Sequence, residues 1–267
     1  AEDFFDLCPF PGAHPRDYLY RVVQFPNNHH AIVGIRFKGL NIDSPFIELI
    51  AQDFSFSPET VPALKTVVRK EFEAFDPKWI RIALNAEEEL APFWRAHRRL
   101  HDLRTIAAPI AILQQAPKPN NYEKLSLEKC TDTGFYAQYH KDYLEFNTTA
   151  GIMADEVYLA SEEEFQSLVD FGHAYQATIN GEWAGLIALS ERTFLGKTIL
   201  IVHEEVLTKK YRGQGFGAAL QRHAIEKLDP NLYPLLLGTI HANNSPSLAT
   251  AKRVGRIDIG GQWFLEL

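Results

Sequence analysis

The sequence has no apolar run approaching the ~20 residues that a membrane-crossing helix needs, so no membrane role is expected. Its two cysteines, Cys8 and Cys130, are too few for a disulfide framework and point to a reducing, cytoplasmic setting. Basic residues are in deficit. Against 34 Asp+Glu there are 27 Lys+Arg, a formal net charge of −7, which leaves no general electrostatic case for nucleic acid. There is no low-complexity tract, and the opening Ala1–Asp6 is acidic, unlike a secretory signal. What remains is ordinary for a soluble globular protein: 267 residues, 46% hydrophobic and 23% charged, a length suited to two domains.

The shortage of one sign is local. From Asp142 to Glu191 there is no Lys or Arg, while Asp142, Glu145, Asp155, Glu156, Glu162, Glu163, Glu164, Asp170, Glu182 and Glu191 are all acidic. Such a run is either a solvated helix surface or a field that draws in a cation.

Pro and Asn break both helix and strand, so Ala116-Pro-Lys-Pro-Asn-Asn121 reads as a linker between domains at 1–118 and 119–267. The two halves repeat one order of elements. In the first, strands at His30–Leu40 and Phe46–Phe56 precede a helix from Pro58 to Phe75 and a strand at Trp79–Leu84. In the second, strands at Tyr175–Ser190 and Thr198–Leu207 precede a helix from Gly215 to Leu228 and a strand at Tyr233–Ile240. The helix stops Asp76-Pro77 and Asp229-Pro230 lie 153 residues apart, and Gly34 and Gly185 lie 151 apart. Internal duplication accounts for this spacing. The basic run Arg95–Arg104, with Trp94, Leu100 and Leu103 on one side, reads as a solvated helix.

The loop Arg212-Gly-Gln-Gly-Phe-Gly-Ala218 stands between a strand and a helix. Its glycines remove β-carbons that would hold a ligand off the backbone. Successive free amides at a helix start, reinforced by the helix dipole, suit a diphosphate, and Lys209, Lys210 and Arg212 add charge. Gly213-x-Gly215-x-x-Ala218 also fits the loose dinucleotide fingerprint. Too little chain follows for a Rossmann domain, however, and the Gly-Lys-Ser/Thr of a nucleotide P-loop is absent.

Arg212-Gly-Gln-Gly215-Phe-Gly217 resembles the Arg/Gln-x-x-Gly-x-Gly/Ala motif of the GNAT acyltransferase superfamily. Asn244-Ser-Pro-Ser247-Leu-Ala-Thr-Ala-Lys-Arg-Val-Gly255 is similar to that family's second motif, in which Asn opens a helix that ends in Gly. The resemblance covers roughly residues 121–267. It implies an α/β (α+β) fold of two tandem GNAT-like domains, each a mixed, mostly antiparallel, splayed sheet flanked by helices. It also implies acetyl-CoA or another acyl-CoA as donor. Backbone groups of Val206, Leu207 and Thr208 would then meet the pantetheine arm. Amides of Arg212, Gly213, Gln214, Gly215, Phe216, Gly217 and Ala218 would hold the diphosphate, and Asn244 and Ser247 would lie near the arm. No metal is expected.

The acceptor amine must lose a proton, so a base is needed. The candidates on the strand before the loop are Glu205, favoured because it shares a face with Leu207, then His203 on that same face and Glu204 on the other. The resemblance also implies a Tyr seven residues after the motif Asn, as acid for the departing thiolate. This sequence has Ala251 there. Cys130 lies far from both motifs with no His partner nearby, so direct transfer in a ternary complex is expected. Sliding the halves by 153 puts Glu59-Thr-Val-Pro-Ala-Leu64 on the loop. With no glycine, a Pro and an acid there, the first half would be a degenerate GNAT-like domain without a CoA loop. The expected protein is an N-acetyltransferase acting on a cationic primary amine: a small molecule or an amine of a basic protein. The alternative is a CoA-binding sensor or interaction module with little turnover.

Overall fold

A computed structural model describes residues 2–150 and 159–267; the acids Asp155 and Glu156 lie outside the described residues. In chain order the helices and strands are α1 (Glu2–Leu7), β1 (Arg21–Phe25), β2 (His29–Phe37), β3 (Pro45–Gln52), α2 (Thr60–Glu71), β4 (Trp79–Asn85), β5 (Arg99–Pro109) and α3 (Ile110–Gln115). Then come β6 (Leu125–Lys129), α4 (Tyr136–Ala150), α5 (Glu162–Phe171), β7 (Ala174–Ile179), β8 (Glu182–Phe194) and β9 (Lys197–Leu207). The chain closes with α6 (Phe216–Glu226), β10 (Leu235–His241), α7 (Ser245–Arg253) and β11 (Ile257–Glu266). They form two compact units, residues 1–103 with 260–267, and residues 104–259.

The division differs from a cut at the Pro-rich segment 116–121. That segment is a turn inside the second unit. Ile110 and Leu113 just before it are buried in the same core as Leu220 and Ile225, and the Gln114 amide donates to the carbonyls of Ile225 and Leu228. Arg222, buried on α6, donates to the carbonyls of Leu113 and Gln114. Proline ended the helix here without ending the domain.

In the first unit β1, β2 and β3 form an antiparallel meander, β4 joins β3 in parallel, and the last strand runs antiparallel to β4 from Gly260 to Glu266. One face is packed under α2 by Val33, Ile47, Leu49, Ile80 and Ile82. The second unit repeats this plan with β7, β8 and β9 antiparallel and β10 parallel to β9, and adds β6 at the edge. Both faces of its sheet are covered. Leu200, Ile187 and Leu189 pack under α6 on one side, while Leu186, Ala188 and Val206 pack under α4 and α5 on the other.

The repeat extends to an irregularity. β2 pairs with β3 through Ile32↔Ala51 and then Val33↔Leu49, so Ile50 is an extra residue. β8 pairs with β9 through Ala188↔Glu204 and then Leu189↔Val202, so His203 is extra. These two bulges lie 153 residues apart, the same offset as the helix stops.

Two elements differ from the sequence reading. The stretch Tyr175–Ser190 is two strands turned at Asn180-Gly181, whose φ values of 53° and 78° match the left-handed positions of a tight hairpin. The basic run is a 3-10 turn leading into β5 rather than a helix. Its charges are used locally: Arg99 lies over the rings of Trp94 and Trp263, Arg98 pairs with Glu266, and the Arg104 Nε donates to Asp258.

Candidate active site

β9 and β10 are paired only at Leu200↔Leu236 and Ile201↔Leu237. Beyond that point the two strands continue, to Leu207 and His241, without pairing to each other, so the sheet opens into a wedge. Backbone groups along the inner edges of the wedge need partners from elsewhere. The Thr208 N–H donates to Ala184 O at 2.9 Å, which points that residue toward β8. A β-carbon on Gly185 would strike the carbonyl oxygen of Val206, so Val206 faces β8 as well. By strand alternation the backbone groups of Glu205 and Leu207 face the wedge, and of the three expected backbone contacts Leu207 alone does so. Its carbonyl accepts from Arg212 Nε at 2.7 Å, which leaves its N–H.

At the mouth of the wedge the glycine loop runs into α6. Gly213 and Gly215 sit at φ 72° and 85°, a backbone that only glycine adopts without strain, and Gly215 caps the helix. A β-carbon on Gly213 would meet nothing within 4 Å, so no side chain crowds the loop at that residue. The first-turn amides of α6 have no intrahelical acceptor, which leaves them for a ligand at the helix start. Gly217 serves packing instead, because a β-carbon there would lie 3.1 Å from the Thr250 side chain on α7. This geometry fits an extended diphosphate-bearing ligand.

The three cations read as phosphate partners are engaged elsewhere. Lys210 pairs with Glu182, Lys209 with Glu145 at 3.4 Å, and Arg212 donates to the Asp142 carbonyl at 2.7 Å while its guanidinium covers Phe146. Arg212 thus braces the strand end against α4. The cation beside the loop is one the sequence reading missed, Arg253 at the end of α7, whose Nη1 lies 3.8 Å from the β-carbon position of Gly215. Asn244 opens α7, its side chain accepting from Ser247 N at 3.2 Å, so Asn244 and Ser247 sit together at that helix start.

The bulge redistributes the three candidate bases. Without it, His203 and Glu205 would share a face. The extra residue puts His203 and Glu204 together on the α4/α5 side and leaves Glu205 alone toward α6. His203 is exposed, with Nδ1 3.4 Å from Ser190 Oγ. Its pKa lies below the usual imidazole value because of partial burial, opposed by Glu164 on α5, so the ring is neutral near pH 7. Glu204 is only 7% exposed, and burial pushes its carboxyl up to about 8, against the Tyr139 hydroxyl, which favours the carboxylate. Glu205 accepts from Gln221 Nε2 at 2.6 Å, and Gln221 Oε1 accepts from Arg256 Nη2 at 2.9 Å. Burial raises the Glu205 carboxyl to about 7, held from going higher by Arg256 and by the Gln221 bond.

Much of the acidic run is used locally. Ser161 and Glu164 form a capping box at the start of α5, where Glu162 and Glu163 also complement the helix dipole. The Asp142 carboxylate accepts from Trp183 Nε1, and Glu191 from the Tyr233 hydroxyl. Cys130 is buried and its thiol is pushed up to about 12, which removes the thiolate that a nucleophile needs. Tyr211 is anchored on Glu182. Among the described residues, no group of three His, Cys, Asp or Glu could hold a metal, and no helix is long and apolar enough to cross a membrane.

A splayed sheet whose fourth strand ends in a glycine-lined helix start is the arrangement expected of a GNAT-like α/β fold. The model of the acetyltransferase (GNAT) family matches residues 135–255. No curated protein sequence matches the chain. Among solved structures it is similar to a GCN5-related N-acetyltransferase from Kribbella flavida, with a TM-score of 0.54 and 19% identity over 94% of this chain and 90% of that one. A GCN5-related N-acetyltransferase from Sphaerobacter thermophilus gives a TM-score of 0.58 and 13% identity over 96% and 82%. A tandem GNAT protein from the clavulanic acid biosynthesis pathway gives 0.54 and 14% over 89% and 78%.

Proposed function

We propose that this protein is an N-acyltransferase that moves an acetyl group from acetyl-CoA to a primary amine by direct transfer in a ternary complex. The open glycine cradle at the head of α6, set against the mouth of the β9–β10 wedge, carries the proposal. Amides from Gly213 to Ala218 hold the diphosphate and Arg253 supplies the nearby positive charge. The Leu207 N–H and the start of α7 at Asn244 and Ser247 line the path of the pantetheine arm. The donor supplies an acyl carbonyl activated as a thioester.

His203 is the base. It is the exposed member of the pair on the α4/α5 face, its imidazole is neutral near pH 7, and it takes the amine proton as nitrogen attacks. Glu204 is too deeply buried, and held too far toward its neutral form, to do so. Glu164 lies near His203, and an acid there suits an amine that arrives as a cation. The first unit contributes no CoA site: the start of α2 is closed by Ser57, whose hydroxyl accepts from the amides of Glu59 and Thr60.

Release of free CoA across a panel of polyamines and aminosugars tests the activity. Turnover with wild type and at least ~10-fold weaker donor binding by Gly215→Asn are expected, since Asn tolerates the left-handed backbone while placing a side chain at the cradle. CoA binding with no release across the panel would instead support a sensor.

A further inference from the structure

Ala251 is fully buried on α7 and has no proton to give, so the thiolate that leaves during transfer needs another donor. We infer that Glu205 is the acid that protonates the departing thiolate of CoA, and that Gln221 and Arg256 position it. This rests on the acyl-transfer reading above.

Glu205 lies past the last β9–β10 pair, in the open arm of the wedge, two residues before Leu207. Its Oε1 is 3.6 Å from the β-carbon position of Gly217, beneath the first turn of the helix that closes the cradle. An arm entering at the loop and running back along β9 at ~3.3 Å per residue reaches the bulge within a few residues. The bulge therefore does chemical sorting. It sets the base, His203, on the face of α4 and α5, and the acid, Glu205, on the face of α6.

The support around Glu205 is specific. Gln221 has its orientation fixed from both ends, giving an N–H to Glu205 and taking one from Arg256. Arg256 is 3% exposed, and its Nε and Nη1 have no hydrogen-bond partner among the described residues. Its guanidinium lies 2.8 Å from the β-carbon position of Gly238 on β10, at the base of the wedge. Gln221 stands between the two charges, so Arg256 favours the carboxylate through its field without chelating it. Around Glu205 stand Ile187 on β8, Gln221 on α6, Thr250 on α7 and Arg256, of which only Arg256 is charged. With its carboxyl raised to about 7, Glu205 retains a proton near neutrality.

The step balances. The amine nitrogen bonds to the thioester carbon and passes its proton to His203. The carbon–sulfur bond breaks, its electron pair goes to sulfur, and Glu205 hands its proton to that sulfur. The products are an amide and a thiol; His203 then loses a proton to solvent and Glu205 regains one.

The experiment uses the full chain. At saturating amine, Glu205→Gln lowers kcat ~10²-fold or more, and the fall of kcat on the alkaline side disappears. Arg256→Met removes the field that favours the carboxylate, so the Glu205 pKa rises and that alkaline fall moves to higher pH, while the acidic limb set by His203 stays in place. Infrared difference spectra of unliganded protein, wild type minus Glu205→Gln, show a protonated carboxyl that titrates away near neutrality and persists to higher pH in the Arg256→Met background. Thermal melts establish that the variants are folded, and should Arg256→Met fail to fold, Gln221→Leu shifts the same limb in the same direction. A Glu205→Gln enzyme with kcat within about twofold of wild type and an unchanged alkaline limb overturns the assignment alone. Absence of CoA release by wild type overturns the activity, and the acid with it.

Discussion

Glu204 and Glu205 are neighbours in sequence, and both are pushed toward neutrality by burial, yet pH reads them differently because one faces a wedge and the other a closed core. For Glu204 the consequence is a stability term. Its folded pKa of about 8 stands above the unfolded value of 4.5, so the unfolded chain releases this proton first. The term is fully present below pH 4.5 and is lost as pH rises toward 8. Glu204→Gln abolishes it, so the variant gains on wild type across that window by up to a few kcal/mol, measured by urea unfolding at several pH values. A difference that is flat with pH would place an ionised, compensated Glu204 in the native state. Arg253 makes the complementary case on the surface. Its Nη1 beside Gly215 is an exposed charge without a partner among the described residues, so Arg253→Gln weakens CoA binding several-fold at low ionic strength and by less at high salt. Titration calorimetry at two salt concentrations checks it. Unchanged affinity at low salt would remove Arg253 from the donor site.

At the scale of elements, the meeting of β8 and β9 sets the faces on which chemistry is displayed. Gly185 has φ 154°, and a β-carbon there would run into the Val206 carbonyl and the Leu207 backbone. Gly196, at φ 73° in the β8–β9 turn, has nothing within 4 Å. Gly196→Ala therefore costs about 1 kcal/mol for backbone strain alone, while Gly185→Ala costs ~2–4 kcal/mol because strain adds to collision between paired strands. Denaturant unfolding of the two variants compares them, and equal costs would mean that β8 can shift away from β9. The same strand shows how far the sequence was legible. The glycines at 213 and 215 announced the loop because its left-handed backbone demands glycine, and the Asn at 244 announced the helix start because its side chain accepts from a first-turn amide. The bulge at His203 has no such mark. One extra residue in a strand of Val, His and Glu alters no periodicity that a short window resolves, and yet it reverses which acid shares a face with His203. The Asn180-Gly181 hairpin was legible and was overrun by the apolar residues on both sides. The run Arg95–Arg104 reads as a helix because of the apolar side given by Trp94, Leu100 and Leu103, whereas Arg98, Arg99 and Arg104 are placed by partners distant in sequence, Glu266, Trp263 and Asp258. Gln221 and Arg256 could not be singled out for the same reason: their meaning lies in a contact across 35 residues.

For the whole molecule, the repeat at 153 residues raises the question of how many donors one chain binds. Each unit carries the β–β–α–β order, and each has a bulge at the matching place, in β3 and in β9. The units part company at the helix start. In the second, Gly213 and Gly215 add no side chain at the helix start, and a β-carbon on Gly213 would meet nothing within 4 Å. In the first, the Ser57 hydroxyl takes the amides of Glu59 and Thr60, Glu59 accepts from that same hydroxyl, and Pro62 has no amide to offer. An anion approaching α2 would have to displace a neutral cap and meet a carboxylate whose pKa is held below its ordinary value by the Ser57 hydroxyl and backbone bonds. One CoA per chain is therefore expected from titration of the full-length protein, and Gly215→Asn in the second unit should remove that single site. Two sites of comparable affinity in wild type, or a full-strength site surviving in Gly215→Asn, would put the donor in the first unit and reverse the roles assigned to the halves.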